Sequence, residues 1–449
     1  MAADPPAPAA DPAADGSADP ITPYDRLVWT GEEVEQLLAT GARREELVAY
    51  FGPREYDVLA RLARVARDAV PARGACRTLV VPGSLGSQLG RPRREPLPRD
   101  IVWLDPIDIG LGRLTELALP GTAPTQAYGV LLYTYLGLLL NLRAAGLDAA
   151  FHAYDWRRGV EELARELAGR LRAEPSPRIA LVAHSFGGLV ARAALAFPGG
   201  EKVERLVLLG TPNHGSLAAL QALRGTYWAV RKIAQLDLHH SSETLARRVF
   251  TTFPSLYHML PSAPGEGELD LLDPRAWPMS EPRPRPQLLE SARGVARLLA
   301  PPDERCTAIV GVGQPTAIEV RRGDDEFVYR ITRQGDGTVP AASARLAGAG
   351  FHAAVSHGNL ARDPTVTAAV IDLLCTGSTE RLPARWRTRS LGEQTVGDRE
   401  LARLLTEKVH WSRLSPEERR VFLEYLNEPP RFALRSARTA AGRRLATPR

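Results

Sequence analysis

The stretch 178–188 constrains the fold of this chain more than any other. Arg178-Ile179-Ala180-Leu181-Val182 is apolar after its first residue and leads directly into Ala183-His184-Ser185-Phe186-Gly187-Gly188. A helical pattern follows over 187–196. An apolar run of this length without alternation reads as a strand buried on both faces, the condition of a parallel sheet covered by helices. The rest of the middle of the chain repeats the theme. Short apolar runs at 78–81, 149–154, 203–209, 308–310 and 351–355 alternate with helical patterns at 128–145, 160–172 and 364–374. Such alternation predicts an α/β fold with a mostly parallel sheet.

Two regions break the rhythm. Residues 213–302 show helical stretches, a Pro- and Gly-rich middle and no clear strand, and read as a helical cap inserted into the sheet domain. Residues 316–320 and 327–332 flank the polar turn 322–325 and read as a hairpin. The predicted organisation is a disordered tail over 1–24, an α/β domain over 25–375 with a helical N-terminal extension at 25–72, and a charged helical extension over 376–449. In the last of these, Ser415 and Pro416 supply a helix N-cap and first-turn signal. Its end, 429–449, carries six arginines and little that packs.

Composition excludes several classes. The net charge is +5, from 57 Lys and Arg against 52 Asp and Glu, with no dense basic block. Nucleic acid is therefore not expected as a partner. Cys76, Cys306 and Cys375 are scattered, with neither metal-type spacing nor a disulfide framework. The stretch 1–20 has no basic residue before Arg26 and no apolar run of the kind a secretory signal needs. No run approaches the roughly 20 apolar residues of a membrane span. The expectation is a soluble, cytoplasmic protein whose contact with lipid, if any, is peripheral and at the surface. No metal or other cofactor is expected. The adjacent His239 and His240 would point to different sides of a helix and do not make a metal site.

Ser185 lies where a buried strand ends and a helix begins. A sharp strand-to-helix turn with small flanking residues lifts a serine above the sheet edge as a nucleophile. Ala183 stands where such turns usually carry Gly. The alternative role for Ser185 is an ordinary helix cap. A nucleophilic serine needs a base and an orienting carboxylate, in this fold in the chain order serine, acid, histidine. Gly335-Asp336-Gly337-Thr338-Val339-Pro340 supplies the acid, Asp336, in a Gly-rich turn; Asp324 and Asp325 fall in the hairpin turn. His352 sits within the last apolar run, whereas His357 lies in the loop Ser356-His357-Gly358-Asn359 beyond it, so His357 is the expected base. An oxyanion hole needs two backbone N–H groups. One comes from Phe186, after the serine, and the other from the loop 81–87 after the first strand.

These segments resemble, in order, the motifs of lecithin:cholesterol acyltransferase-like lipases of the α/β-hydrolase superfamily. The matching stretches are Val81-Pro82-Gly83-Ser84-Leu85-Gly86-Ser87, Tyr154-Asp155-Trp156-Arg157, Ala183-His184-Ser185-Phe186-Gly187-Gly188, Leu209-Gly210-Thr211-Pro212-Asn213-His214-Gly215-Ser216, and the segment around Asp336. Cap residues Phe253-Pro254-Ser255-Leu256-Tyr257 and Met259-Leu260-Pro261 are similar too. The resemblance covers about 76–374. It implies an α/β-hydrolase fold, Ser185 as nucleophile, Asp336 as acid, His357 as base, and Leu85 with Phe186 as oxyanion donors. It also implies action on lipid or other acyl esters, by hydrolysis or by acyl transfer to an alcohol. The cap aromatics, Phe253 and Trp228 among them, are expected to line an apolar acyl pocket. Tyr154-Asp155-Trp156-Arg157 reads as a structural knot with Asp155 and Arg157 paired, or else as the mouth of the site. The competing function is a non-catalytic α/β-hydrolase scaffold used for binding.

Overall fold

In the computed structural model, residues 29–432 are described, apart from 70–75, 94–98, 122, 263–264, 266–267, 349, 388–391 and 431. The expected disordered stretch 1–24 and most of the arginine tail lie outside the described residues.

The strands in chain order are β1 Arg77–Val81, β2 Ser87–Arg91, β3 Asp100–Trp103, β4 Gln126–Val130, β5 Asp148–Phe151, β6 Ile179–His184, β7 Val203–Leu209, β8 Cys306–Gly311, β9 Thr316–Arg322, β10 Phe327–Thr332, β11 Gly350–Ala353 and β12 Gln394–Gly397. Six of them form the central sheet, in the order β11-β8-β7-β6-β1-β5, and every pairing is parallel. All six residues of β6 are buried, as their unbroken apolar run requires. Helix Val160–Ala173 buries Val160, Leu163, Ala164, Leu167, Ala168 and Leu171, one stripe at helical spacing, and packs on helix Phe186–Ala194. Helix Pro364–Thr376 packs on β7. This is a mostly parallel α/β sheet flanked by helices.

The topology locates a crevice. The chain runs from β1 to β5 on one side, then returns to β6 and continues outward through β7, β8 and β11 on the other. Loops leaving β1 and β6 therefore diverge between those neighbouring strands, where open α/β sheets bind ligands. The register aligns Val81 with Ala183 and His184 with Leu209. Three of the sequence motifs, the loop 81–87, the turn at Ser185 and the segment after Leu209, thus emerge side by side at one sheet edge.

The structure differs from the sequence reading in four places. The expected helix 128–145 is the strand β4 followed by helix Leu132–Ala144. β4 pairs antiparallel with β2, which also pairs with β3; β2 and β4 carry Gly and polar residues and show no period-2 pattern, and β3 is only four residues long. Within the cap, which reads only as helical stretches, the apolar residues 249–260 form no single helix but the turn Phe250–Thr252 and helix Pro254–His258, because the residue before a proline is disfavoured in the helical region. The strand expected over 351–355 ends at Ala353. The segment after 376 is not helical throughout: β12 pairs antiparallel with β10 and turns the β9–β10 hairpin into a three-stranded sheet. Its helix Pro416–Leu426 carries the Ser415 capping box with Glu418. Between β7 and β8, the described residues form helices and no strand. No helix among the described residues is long and apolar enough to cross a membrane.

A buried polar knot ties the cap to this second sheet and the C-terminal extension. The Asp398 carboxylate receives Arg224 Nε at 3.0 Å, Tyr329 Oη at 2.9 Å and the Phe327 backbone N–H at 3.2 Å. Breaking a buried pair leaves the remaining charge without compensation. Arg224→Met is expected to lower the unfolding free energy by about 3–5 kcal/mol, seen as a lower urea midpoint. A midpoint equal to that of the unsubstituted chain would remove this knot as a stabilising element.

Candidate active site

Ser185 has φ 54 and ψ −127, a conformation that side-chain-bearing residues rarely adopt. The strain is held in place by packing on either side. A Cβ on Gly187 would lie 2.3 Å from the Pro82 carbonyl oxygen, so only glycine lets the helix start this close to the end of β1. Ala183, at the position usually taken by Gly, is fully buried in β6 opposite Val81 and is accommodated there.

The three side chains singled out in the sequence meet at this turn. His357 Nε2 is 2.8 Å from Ser185 Oγ, and His357 Nδ1 is 2.7 Å from Asp336 Oδ2. Asp336 is 1% exposed, Ser185 7% and His357 8%. The other carboxylate oxygen, Asp336 Oδ1, accepts the backbone N–H groups of Thr338 at 3.0 Å and Val339 at 2.7 Å. Held at both oxygens, the carboxylate fixes the imidazole orientation. The His357 N–H also donates to the Asp336 carbonyl at 2.8 Å. With Nδ1 donating to a carboxylate, Nε2 is the free acceptor facing the serine hydroxyl. The arrangement is a hydroxyl, a base able to take its proton, and a buried anion to stabilise the resulting imidazolium.

His352 does not enter the site. It lies in β11, with its backbone N–H on the Pro383 carbonyl and its Nε2 3.4 Å from Arg345. Asp325 lies in the β9–β10 turn, where it accepts the Ser280 N–H. His240 Nδ1 faces Asp237, and no group of three or more His, Cys, Asp or Glu among the described residues stands where a metal ion fits.

The loop 81–87 crosses in front of Ser185 and is fixed from several directions. Tyr154 Oη donates to the Pro82 carbonyl at 2.7 Å, Trp103 Nε1 to the Leu85 carbonyl at 2.8 Å, and Trp156 Nε1 to the Ser87 carbonyl at 3.0 Å. Leu85 has φ 64, a turn conformation closed by the Gly86 N–H on the Gly83 carbonyl at 3.0 Å. Phe186 is the first residue of helix Phe186–Ala194, where backbone N–H groups have no intrahelical acceptor. Leu85 and Phe186 thus flank Ser185 on two separately anchored elements. The motif Tyr154-Asp155-Trp156-Arg157 joins both of the roles weighed for it: Arg157 forks onto buried Asp155 at 2.8 and 2.7 Å, while Trp156 also lines the cavity above the serine.

That cavity is mainly apolar. Its walls include Trp228, Phe250, Phe253, Leu256 and Met259 from the cap, Leu85 from the loop, and Ser185 and His357 at its floor. Phe253 packs edge-on against Trp156 at 5.7 Å and Phe250 at 5.6 Å. Trp228 is turned by a hydrogen bond from Nε1 to the Gly337 carbonyl at 3.1 Å. Leu426 and Asn427, from the C-terminal extension, complete the wall. No sequence signal links that segment to the site. It is held there by Lys232 of the cap, whose Nζ donates to the carbonyls of Tyr425 and Glu428.

Gly210 was visible only as part of a motif, with no role attached. Its φ is 57, and a Cβ there would stand 3.0 Å from Asp336 Oδ2, 3.1 Å from His357 Nδ1 and 2.7 Å from Leu360 Cδ1. Gly210→Ala is expected to push the acid–histidine pair out of line and slow fluorophosphonate labelling of Ser185 by about a hundredfold, since a 1 Å misplacement costs that much. Labelling at the unsubstituted rate by a folded variant would show that the pair tolerates the added methyl.

Comparison with known proteins adds a partial match. The profile of the PGAP1-like alpha/beta domain matches residues 163–271, which span the Ser185 turn and the first part of the cap. No curated protein matches the chain. Among solved structures, the mature form of the Bacillus licheniformis lipase BlEst2 is similar at 15% identity and a TM-score of 0.36, over 68% of this chain and 94% of that one. Its propeptide form gives 15% and 0.37, over 72% and 54%. The Tle4–Tli4 complex gives 15% and 0.40, over 69% of this chain and 99% of that one.

Proposed function

We propose that this protein is a serine esterase that cleaves acyl esters of lipids through an acyl-serine intermediate. The observation that carries the reading is the unbroken line from Ser185 Oγ to His357 at 2.8 Å and from His357 to Asp336 at 2.7 Å. A binding scaffold has no need of this alignment or of the strained serine.

In this mechanism Ser185 Oγ attacks the ester carbonyl while His357 Nε2 takes its proton. The backbone N–H groups of Leu85 and Phe186 receive the oxyanion. The same imidazole then protonates the departing alcohol, leaving Ser185 acylated. A second nucleophile, water or an alcohol, deacylates the enzyme by the reverse sequence. The motif resemblance to lecithin:cholesterol acyltransferase-like lipases favours an acyl group from a lipid, and the apolar cavity walls suit an acyl chain. Hydrolysis and acyl transfer share the acyl-enzyme; product analysis with and without an added alcohol separates them. The unpaired thiols Cys76, Cys306 and Cys375 suit the reducing interior we propose as its location, the cytoplasm.

Ser185→Ala is expected to abolish turnover of a fluorogenic ester, by about four or more orders of magnitude, in a protein that remains folded. His357→Ala should do nearly the same, while His352→Ala should change little beyond stability. Turnover retained by folded Ser185→Ala, or the reverse behaviour of the two histidines, would overturn the assignment.

The acyl-chain site has its own test. Phe253 is fully buried, and its truncation would confound packing with binding. Leu256 lines the cavity but is only partly buried. Leu256→Asp is expected to raise KM for long-chain esters about tenfold, the order of one buried apolar side chain, and to leave short soluble esters nearly unaffected. Equal losses on both would remove the chain from this cavity.

A further inference from the structure

We propose that His184 and Tyr135 are positioning residues: a hydrogen-bond chain running from the Gly83 N–H through Tyr135 and His184 to the His357 carbonyl holds the oxyanion loop and the base in register. The inference rests on the serine-esterase reading of the site and adds two residues to it.

The links are continuous. The Gly83 N–H meets Tyr135 Oη at 2.9 Å, Tyr135 Oη meets His184 Nδ1 at 2.9 Å, and His184 Nε2 meets the His357 carbonyl at 3.0 Å. Every donor and acceptor is determined. A carbonyl only accepts, so the proton of His184 sits on Nε2. Burial pushes the His184 imidazole down to about 3, so it is neutral at ordinary pH and its Nδ1 is an acceptor. Tyr135 must then donate to Nδ1, and its oxygen accepts from Gly83. Both side chains are nearly inaccessible, His184 at 6% and Tyr135 at 2%. Burial limits the access of water to these bonds, and each missing partner would leave a buried polar atom unpaired.

The glycines of the loop are shaped around this chain. A Cβ on Gly86 would lie 2.8 Å from Tyr135 Oη, and one on Gly83 would lie 3.2 Å from His184 Nδ1 and 2.9 Å from Ser185 Cβ. The loop is therefore glycine-rich in part to admit the tyrosine oxygen, and not only to approach a substrate.

The chain joins four separate elements. Gly83 belongs to the loop after β1, Tyr135 to helix Leu132–Ala144, His184 to the end of β6, and His357 to the loop beyond β11. Asp336 orients the imidazole of His357 from one side; His184 grips its backbone from the other. His184 is also next to the nucleophile and its ring lies 4.9 Å from that of His357, yet both its nitrogens are engaged, so it is not a second base. Its role is to keep the oxyanion donors and the base at a constant separation while charge moves between them.

The test compares Tyr135→Phe, His184→Gln and the double variant with Ser185→Ala, all in the full chain, on a soluble chromogenic butyrate ester. Each single variant is expected to lose about tenfold to a hundredfold in kcat, as a displacement of under 1 Å produces. KM should move by less than about twofold, because ground-state binding is untouched. The double variant should be no worse than the poorer single one, since either change opens the same chain. Melting curves accompany each variant. Loss of kcat in proportion to loss of folded protein, multiplicative losses in the double variant, or unchanged kcat in Tyr135→Phe beside an inactive Ser185→Ala would each overturn the positioning role. Turnover by folded Ser185→Ala would overturn the esterase reading itself, and this role with it.

Discussion

The close approach of three backbones at the end of β6 is the constraint on which the rest of the structure depends. The helix that begins at Phe186 must start within van der Waals reach of β1, and the Leu209–Thr211 segment must pass beside both. A Cβ at Gly187 would come within 2.3 Å of the Pro82 oxygen, and one at Gly188 within 1.9 Å of Thr211 Oγ1. With glycine at both positions, the turn holds Ser185 at φ 54 and exposes its hydroxyl to the crevice. The strain is local and costs on the order of 1–3 kcal/mol. The surrounding parallel sheet, apolar on both faces, is large enough to enforce it.

From that point the site is assembled by desolvation as much as by contact. Asp336 is almost wholly buried, and two backbone N–H groups compensate its charge. His184 is kept neutral by the same dryness. In such surroundings a hydrogen bond of ordinary length is stronger and less mobile than it would be at the surface. The loop 81–87 is pinned by indole and phenol groups from Trp103, Trp156, Tyr154 and Tyr135. Large aromatic side chains with one polar tip suit this task, because they fill a core and still reach a backbone atom. Trp103, Trp156 and Tyr135, which also line the cavity, therefore help hold the donors expected to face an oxyanion.

The cap and the C-terminal extension enter through long-range contacts. Arg224 of the cap meets Asp398 of the C-terminal extension, and Lys232 of the cap meets carbonyls at the end of helix Pro416–Leu426. Lys232, whose amine burial pushes down to about 7, holds the end of that helix, and with it Leu426 and Asn427, at the cavity wall. None of these residues announces a partner locally. A lone Arg in a helix and a lone Asp some 170 positions later read as solvated charges until the fold brings them together.

What the sequence determined by itself is what local periodicity and turn chemistry encode. The apolar run 179–182, the small residues after Ser185 and the helix beyond them specify strand, turn and helix within a dozen residues. The alternation of such units specifies a parallel sheet, and the turn residues around Asp336 and His357 specify loops at strand ends. Candidate side chains for a triad followed from order and context. The short strands β2, β4 and β12 were not legible, because strands rich in Gly and polar residues take their conformation from a partner's backbone and not from their own pattern, and β3, though apolar, is only four residues long. The pairing of Tyr135 with His184, the packing of Gly210 against the acid–histidine pair, and the arrival of Leu426 at the cavity were decided only by the tertiary structure. Each depends on distances between segments far apart in the chain, set by sheet order and by the closure of one core. A residue's neighbours in space are a property of that closure, and no window of sequence contains them.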